Sequence, residues 1–536
     1  MNAPSSSASS TPAVELHSSF LKDMQARGMI HQSSDLRELD NHLTTGTRKA
    51  YAGFDPTADS LTIGNLVTVM ALARFQIHGH QPIALMGGGT GLIGDPSGKS
   101  AERTLMTEET VRSNVESIQR SLDNVWTAAR AKAESKGIKP QPLSIVNNID
   151  WLAGISYLQA LRDIGKHFSV NQMIVRDSVK DRLNNREQGI SYTEFSYMIL
   201  QAYDYKHLHE SQGVTLQMGG SDQWGNILSG MDLIRRDISN QIVHRHDKHA
   251  LEVDKKMSLV VAHRSEFKFG DTEWNRQVWN KLFGIGYRFD SAVIDNWLTP
   301  LQDGSWDSSD LYSMLFNDLA DEKYRNAAFG LTWPLVTKAD GGKFGKTESG
   351  AVWLSPERTS PYAYYQFWLN AADADVERFL KVFTFIDVDE IAALMQRHAA
   401  NPGAREAQRT LAQHATDILH GQSARENAER AAQALFAGDI MSLPIETLRE
   451  ALSAAPTTQH PRAQLEGEGL PLIDLLPQTS LCKSKTEART FLTDGSISVN
   501  GTKATLADRL TPTNLLGNEL IALRRGKKNW HVTRWA

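Results

Sequence analysis

The 536 residues equal about three to four typical domains, so a single packed core is excluded and two to four units are expected. Lys plus Arg number 57 and Asp plus Glu 62, and the net charge of −5 excludes a uniformly basic nucleic-acid coat. The one cysteine, Cys482, rules out an internal disulfide or a structural thiolate zinc site, and its isolation points to a reducing compartment.

Residues 1–15 carry neither a secretory nor an Arg-rich transit pattern and read as a disordered tail. Leu16 to Thr45 predicts helix from its recurring Leu and Met. RKAYAGFDP predicts a strand ended by Asp55-Pro56, and LTIGNLVTVMALARFQIHG a helix with Ser60 as its N-cap. PIALMGGGTG is a buried-type strand running into glycines, so strand, helix and strand follow in the order of a parallel α/β sheet. Residues 155–204 predict helix, and TLQMGGSDQWGN repeats the strand-to-glycine-turn pattern. Residues 243–328, rich in His, Asp and Trp, read as an insertion in that pattern, which resumes at FGLTWPLVTKADGGKFGKT. Residues 370–440, rich in Ala, predict helices, and 441–470, with Pro444, Pro456 and Pro461, a linker. The last segment, 471–536, reads as a small α+β unit with TDGSISVNG as its hairpin signal. It holds ten basic and five acidic residues, a local +5 that leaves −10 on the rest, as a polyanion-binding appendage would. No apolar run reaches the roughly 18 residues of a membrane span, and the mean hydropathy is −0.38.

Two phosphate-site patterns are decoys. Gly89, Gly91 and Gly94 satisfy G-x-G-x-x-G, the pattern of a nicotinamide oxidoreductase, but follow the second strand of the pattern rather than the first. Gly98-Lys99-Ser100 mimics the end of a P-loop, yet Ile93 stands where that loop needs glycine. His244, His246 and His249 lack a metal-site context, and no metal ligand is assigned. More specific is EFSYMILQAYD, in which Tyr197, Gln201 and Asp204 are spaced to share one face of an otherwise apolar helix. Such a stripe is either a buried hydrogen-bond network or a pocket wall for a small polar aromatic or amino-acid ligand.

With YAGFDPTADSL, GLIGDPSGKSAER, RDIGKHFSVNQMI, QGISYTEFSYMILQAYD, GGSDQWGNI, KFGKT and TSPYAYYQFW, the chain resembles the bacterial-type tyrosyl-tRNA synthetases, which are class I aminoacyl-tRNA synthetases. The resemblance covers about 16–242 and 329–536. It implies an α/β fold: a Rossmann-like parallel-sheet catalytic domain with an insertion (first part 16–242, insertion 243–328, signature-loop segment 329–355), an α-helical domain (356–440) and an S4-like RNA-binding domain (471–536). It implies a cytoplasmic homodimer that uses ATP with Mg2+ and no resident cofactor, and whose partner is tRNA(Tyr).

Residue by residue, the resemblance implies that Lys343, Lys346 and Thr347 grip the triphosphate in the transition state, with Thr62 and Asn65 in the first signature motif and Lys99 and Arg103 in a loop closing on pyrophosphate. It places Tyr51 and Asp204 at the phenol hydroxyl of tyrosine, Asp95, Tyr197 and Gln201 around its ammonium, and Gln223 near the substrate. Asp55, Thr57 and Gly64 fall on the ATP side with Lys346, and Asp222 toward the ribose. Lys483, Lys485, Arg489, Arg524, Arg525, Lys527 and Lys528 would meet tRNA phosphates. Two features depart from the family pattern. Thr62 stands where the motif has histidine, a loss of one transition-state donor worth about 10² to 10³ in rate. The insertion is the other. Both leave a non-catalytic RNA-binding paralogue as the alternative reading.

Overall fold

The computed structural model describes residues 15–94, 106–176, 179–180, 183, 190–237, 262–283, 328–342, 344–347, 350–437, 439–453, 455–526 and 529–536. They divide into two compact units, one of residues up to 154 with 218–223 and 331–536, the other of 155–217 and 224–330.

The first unit is built on a six-stranded sheet of β1 (Gln32–Ser33), β2 (Lys49–Phe54), β3 (Gln81–Met86), β4 (Ser144–Asn147), β5 (Leu216–Gly220) and β6 (Phe329–Trp333), in the order β1-β6-β5-β2-β3-β4. Of β5 and β6 this unit contains Met218–Gly220 and Leu331–Trp333. β2, β3 and β4 are parallel, with Tyr51 opposite Ile83 and Ala84 opposite Ile145. The expected helix over 16–45 is interrupted: α1 (Ser19–Ala26) stops before Gly28, whose φ of 69° is left-handed, and β1 then pairs antiparallel with β6 before α2 (Leu36–Thr44). α3 (Ile63–Ile77) crosses from β2 to β3 and is buried on nearly every side, as expected of a helix that is apolar all round. Its N-cap is Thr62 and not Ser60, because the Ser60 hydroxyl is committed to Leu61 O (2.9 Å) and to the Ser355 N–H (2.9 Å). α4 (Glu108–Ser121) and α5 (Asp123–Ser135) complete the crossover to β4.

In the second unit the expected helix over 155–204 is broken into single turns at Tyr157–Gln159, Ala160–Ile164, Gly165–His167 and Val170–Ile174. A long helix, α6 (Tyr192–Gln212), follows, started by the Ser191 hydroxyl accepting the Glu194 N–H (3.2 Å) and ended at left-handed Gly213. Within the expected insertion, residues 262–283, which hold the turn Arg264–Glu266 and α7 (Thr272–Phe283), and residue 328 are described, and 243–261 and 284–327 lie outside the described residues.

The helical segment of the first unit holds α8 (Pro361–Leu369), α9 (Asp373–Phe383), α10 (Val388–Ala400), α11 (Glu406–His420) and α12 (Gln422–Ala437). The expected linker 441–470 is ordered structure: it forms α13 (Ile445–Ala451) and the strand Thr457–His460, which pairs in parallel with Asn529–Trp535. That strand is the edge of a five-stranded sheet with Ile497–Val499, Thr502–Lys503 and Leu520–Arg525, packed over Leu472, Leu475, Leu492 and Ile521. The hairpin signal is borne out: Ile497–Val499 pairs with Thr502–Lys503 across Asn500 (φ 50°) and Gly501 (φ 86°).

Candidate active site

In the first unit the sheet order reverses between β2 and β5, and in open α/β sheets ligands bind at such a switch point, beyond the strand ends. Asp55 and Thr57 follow β2, and Asp222 and Gln223 follow β5. Tyr51, on β2, is 1% exposed. Glycines let these backbones approach. A Cβ on Gly87 would lie 2.6 Å from both Asp55 Oδ1 and Thr90 Oγ1, and one on Gly220 would lie 2.5 Å from Asp222 Oδ1. The Gly87-Gly88-Gly89 turn is held by two asparagines that no sequence motif singles out. Asn147 Oδ1 accepts the Gly88 N–H (3.1 Å), and fully buried Asn148 accepts the Gly89 N–H (2.7 Å) while its Nδ2 donates to Thr90 (3.0 Å). Their signal in the chain is faint: an Asn pair at the end of the third parallel strand.

The first signature motif opens α3. Asn65 Oδ1 accepts both the Thr62 N–H (3.1 Å) and the Thr62 hydroxyl (2.9 Å). Asn65 therefore has only its Nδ2 hydrogens to offer an anion, and the Thr62 proton is spent on the cap. The segment after the second signature loop lies alongside: the Ile63 N–H donates to Val352 O (2.9 Å) and the Leu354 N–H to Leu61 O (2.8 Å). The loop itself meets the motif at Gly345, where φ is 79° and a Cβ would stand 2.6 Å from Ile63 Cγ2. Phe344 anchors the loop in an aromatic cluster, its ring 5.2 Å from Phe383, 5.1 Å from Phe379 and 5.9 Å from Phe367. Lys346–Thr347 then pairs antiparallel with Gly350–Ala351 as a two-stranded sheet. The structure thus brings together two motifs about 280 residues apart, by packing that no local pattern displays. Lys343, Asp95, Lys99 and Arg103 lie outside the described residues.

The second unit carries Tyr197, Gln201 and Asp204 along α6, as their spacing predicts, with Tyr197 5% and Asp204 1% exposed. Gln201 Oε1 accepts from Asn226 Nδ2 (2.8 Å), which turns the amide of Gln201 in a defined sense. Asn226 belongs to the GGSDQWGN segment, but nothing in the motif marks it apart from its neighbours. Next to the stripe, Tyr205 is locked by hydrogen bonds from its hydroxyl to Thr215 O (3.0 Å) and Phe329 O (2.8 Å), and burial pushes its phenol far above the ordinary range.

At the C-terminal end of the first unit, Lys483 and Arg489 are exposed, and Lys485 pairs with Asp474 (2.6 Å). Arg524 donates to Leu435 O (3.2 Å) with its guanidinium over Trp530, and Arg525 lies over Phe491 with a charge contact to Glu487 (3.8 Å). Lys527 and Lys528 lie outside the described residues.

The mixed sheet, parallel across β2, β3 and β4, its switch point and the paired signature segments define a class I aminoacyl-tRNA synthetase catalytic domain. Residues 44–279 and 314–437 match the family described as tRNA synthetases class I (W and Y), and 453–533 match the SYY-like C-terminal domain of tyrosine–tRNA ligases. The C-terminal match takes in the strand at 457 and so begins inside the expected linker. Among relatives, the Enterococcus faecalis protein named tyrosine–tRNA ligase 2 is 39% identical over 97% of this chain and 100% of its own, and the Dechloromonas aromatica tyrosine–tRNA ligase is 40% identical over 97% and 99%. C-terminally truncated mitochondrial tyrosyl-tRNA synthetases of Aspergillus nidulans (26% identity, TM-score 0.56, 78% of this chain and 95% of that one) and Coccidioides posadasii (29%, 0.54, 77% and 91%) share the fold. The chain belongs to the tyrosine–tRNA ligase family.

Proposed function

We propose that this chain activates tyrosine with ATP and transfers it to the 3′ end of tRNA(Tyr), and that the residues assigned by resemblance do this work. In the first step the tyrosine carboxylate attacks the α-phosphate of ATP, which enters with its Mg2+ ion, and pyrophosphate leaves. In the second, a hydroxyl of the terminal adenosine attacks the adenylate carbonyl and AMP leaves. Neither step needs a covalent nucleophile on the protein, so catalysis consists of positioning and of stabilising charge on the leaving groups.

The observation that carries the proposal is the contact of Gly345 with Ile63, which holds the Lys346 segment against the N-terminus of α3. On this proposal the dipole of α3, whose Ile63 N–H is already given to Val352 O, and the lysines of the loop both favour an anion there. In this reading Asn65 Nδ2 is the side-chain donor of the first motif toward the phosphates, with Lys343, Lys346 and Thr347 on pyrophosphate joined by Lys99 and Arg103. Thr62 organises Asn65 through its cap. Asp55, Thr57 and Gly64 serve the ATP side, and Asp222 the ribose. Tyr51, Asp95, Tyr197, Gln201, Asp204 and Gln223 recognise tyrosine, where buried partners for the phenol hydroxyl disfavour phenylalanine by being left unpaired.

A second copy is the partner we assign to the second unit, whose residues Tyr157 (65%), Leu158 (78%), Val170 (56%) and Val175 (57%) are unusually exposed for apolar side chains. Lys483, Lys485, Arg489, Arg524, Arg525, Lys527 and Lys528 form the tRNA surface, and the site of action is the cytoplasm. Among the described residues no helix is long and apolar enough to cross a membrane. The test is tyrosine-dependent exchange of labelled pyrophosphate into ATP. Exchange by the folded protein supports the ligase; its absence, with tRNA binding retained, favours the non-catalytic paralogue.

A further inference from the structure

Arg74 is 1% exposed and sits on the last turn of α3, the helix whose first turn is the Thr62–Asn65 motif. Its Nη2 donates to the carbonyls of Lys381 (2.8 Å), Val382 (2.9 Å) and Thr384 (2.7 Å). Arg27 joins it, with Nη1 on Lys381 O (2.9 Å) and Nη2 on Ile386 O (2.8 Å). Lys381 and Val382 lie in the last turn of α9 and Thr384 is its C-cap, where a helix leaves carbonyls without partners and carries negative partial charge, and Ile386 follows just beyond. α9 has no left-handed glycine there, since Thr384 is extended at φ −127°. Two guanidinium groups close the helix instead. Asp23 stands beside them, 2.7 Å from Arg27 Nε and 3.9 Å from Arg74 Nη1.

α9 in turn holds the signature segment at two points. Asp375 Oδ1, in its first turn, accepts the Ala339 N–H (2.9 Å), and Phe379 and Phe383 pack on Phe344. A continuous line of contacts therefore runs from one end of α3 through Arg74, α9 and Phe344 to Gly345, which abuts the other end of α3. We propose that Arg74 is a positioning residue for tyrosine adenylation: by fixing α9 along its own axis it sets where Phe344 and Gly345 hold the signature loop against the first motif. A guanidinium is suited to this because, while Nη2 meets the carbonyls, Nη1 of the same planar group faces Asp23 (3.9 Å), and a lysine has no second nitrogen to do so.

The inference rests on the ligase reading, and the experiment separates the two. Wild-type protein is first titrated for tyrosyl-adenylate formed per chain; no adenylate sinks the ligase reading. Arg74→Lys, Arg74→Met, Phe344→Leu and the double variant R74K/F344L are then compared by adenylation rate per titrated site and by tyrosine affinity in equilibrium dialysis. A displacement of about 1 Å costs about 10²-fold, so R74M is expected to be about 100-fold slower per site and R74K about 10-fold, with tyrosine affinity within twofold of wild type. R74K/F344L is expected to be no slower than F344L, because both changes release the same loop. A per-site rate of R74K within twofold of wild type, with only the active fraction reduced, would show Arg74 to be structural support alone. Multiplying effects of R74K and F344L would overturn the proposed route. Should R74M fail to fold, R74K and the double variant decide.

Discussion

Replacing Gly345 by alanine tests the junction of the two signature motifs. The backbone at 345 has φ 79°, and the new Cβ would stand 2.6 Å from Ile63 Cγ2 on a fully buried side chain. A left-handed conformation costs an L-residue about 1–2 kcal/mol, and overpacking costs about 1–3 kcal/mol, so about 2–5 kcal/mol of strain must be released. The cheapest release moves the loop away from α3 by about 1 Å, to an ordinary van der Waals separation. A shift of that size at the segment proposed to grip the phosphates costs about 100-fold. Pyrophosphate exchange at saturating tyrosine and ATP should fall by that factor, with tyrosine affinity retained. Ile63→Ala in the same chain removes the obstructing methyl group, and G345A/I63A should exchange faster than G345A while still below wild type, since the φ penalty remains. Exchange by G345A within twofold of wild type would refute the reasoning, because the contact would then not position the loop.

Other consequences are equally open to measurement. Thr62→Ala removes the hydroxyl that Asn65 accepts and should lower stability by about 0.5–2 kcal/mol, as removal of an N-cap does, in urea unfolding; Thr62→His should raise exchange by up to about 10²-fold if the missing donor limits the rate. Asn148→Ala leaves the buried Gly89 N–H without its acceptor and should cost about 1–3 kcal/mol in unfolding free energy and slow exchange, whereas unchanged exchange would separate the glycine turn from catalysis. Burial raises the Asp23 carboxyl, but the neighbouring His78 ring (3.7 Å) and the charges of Arg74 and Arg27 outweigh it and hold the group well below the usual carboxylate range. With its folded pKa depressed, its stabilisation is complete above the unfolded value of about 3.9 and is lost as pH falls below it. Asp23→Asn should thus destabilise the protein near neutrality and flatten the decline in urea midpoint below about pH 4; an unaltered acid limb would contradict the assignment. Substituting Lys483 or Arg489 by alanine should weaken tRNA binding and shallow the plot of log affinity against log salt by about 0.7–0.9 for each tRNA phosphate that the side chain neutralises.

Much of the site was legible in the chain because its parts are local. The stripe Tyr197, Gln201, Asp204 follows from helical period alone, and α6 carries it as expected. The glycines that follow β3 and end β5 marked the strand-to-turn pattern of the sheet, and at Gly87 and Gly220 the carboxylates of Asp55 and Asp222 occupy the space a side chain would need. The errors have physical causes. Ser60 has the composition of an N-cap, but its hydroxyl is drawn to Ser355, almost 300 residues away in sequence. Gly28 could have split the expected helix over 16–45, yet only pairing with β6 explains why β1 follows it. The prolines of 441–470 read as a linker, although proline is also compatible with the strand and helix starts found there.

By itself the sequence determined which side chains can carry charge, which polar residues share one face of a helix, and which family the motifs resemble. These depend on residue type and short-range spacing, and both are properties of the chain. The tertiary structure alone decided what Ser60 does with its hydroxyl, which buried arginine closes α9, and how Phe344 and Gly345 hold the loop against α3. Each is a contact between segments tens to hundreds of residues apart. Such contacts are selected by packing and by the need to satisfy buried polar groups, and those act only after the chain has folded.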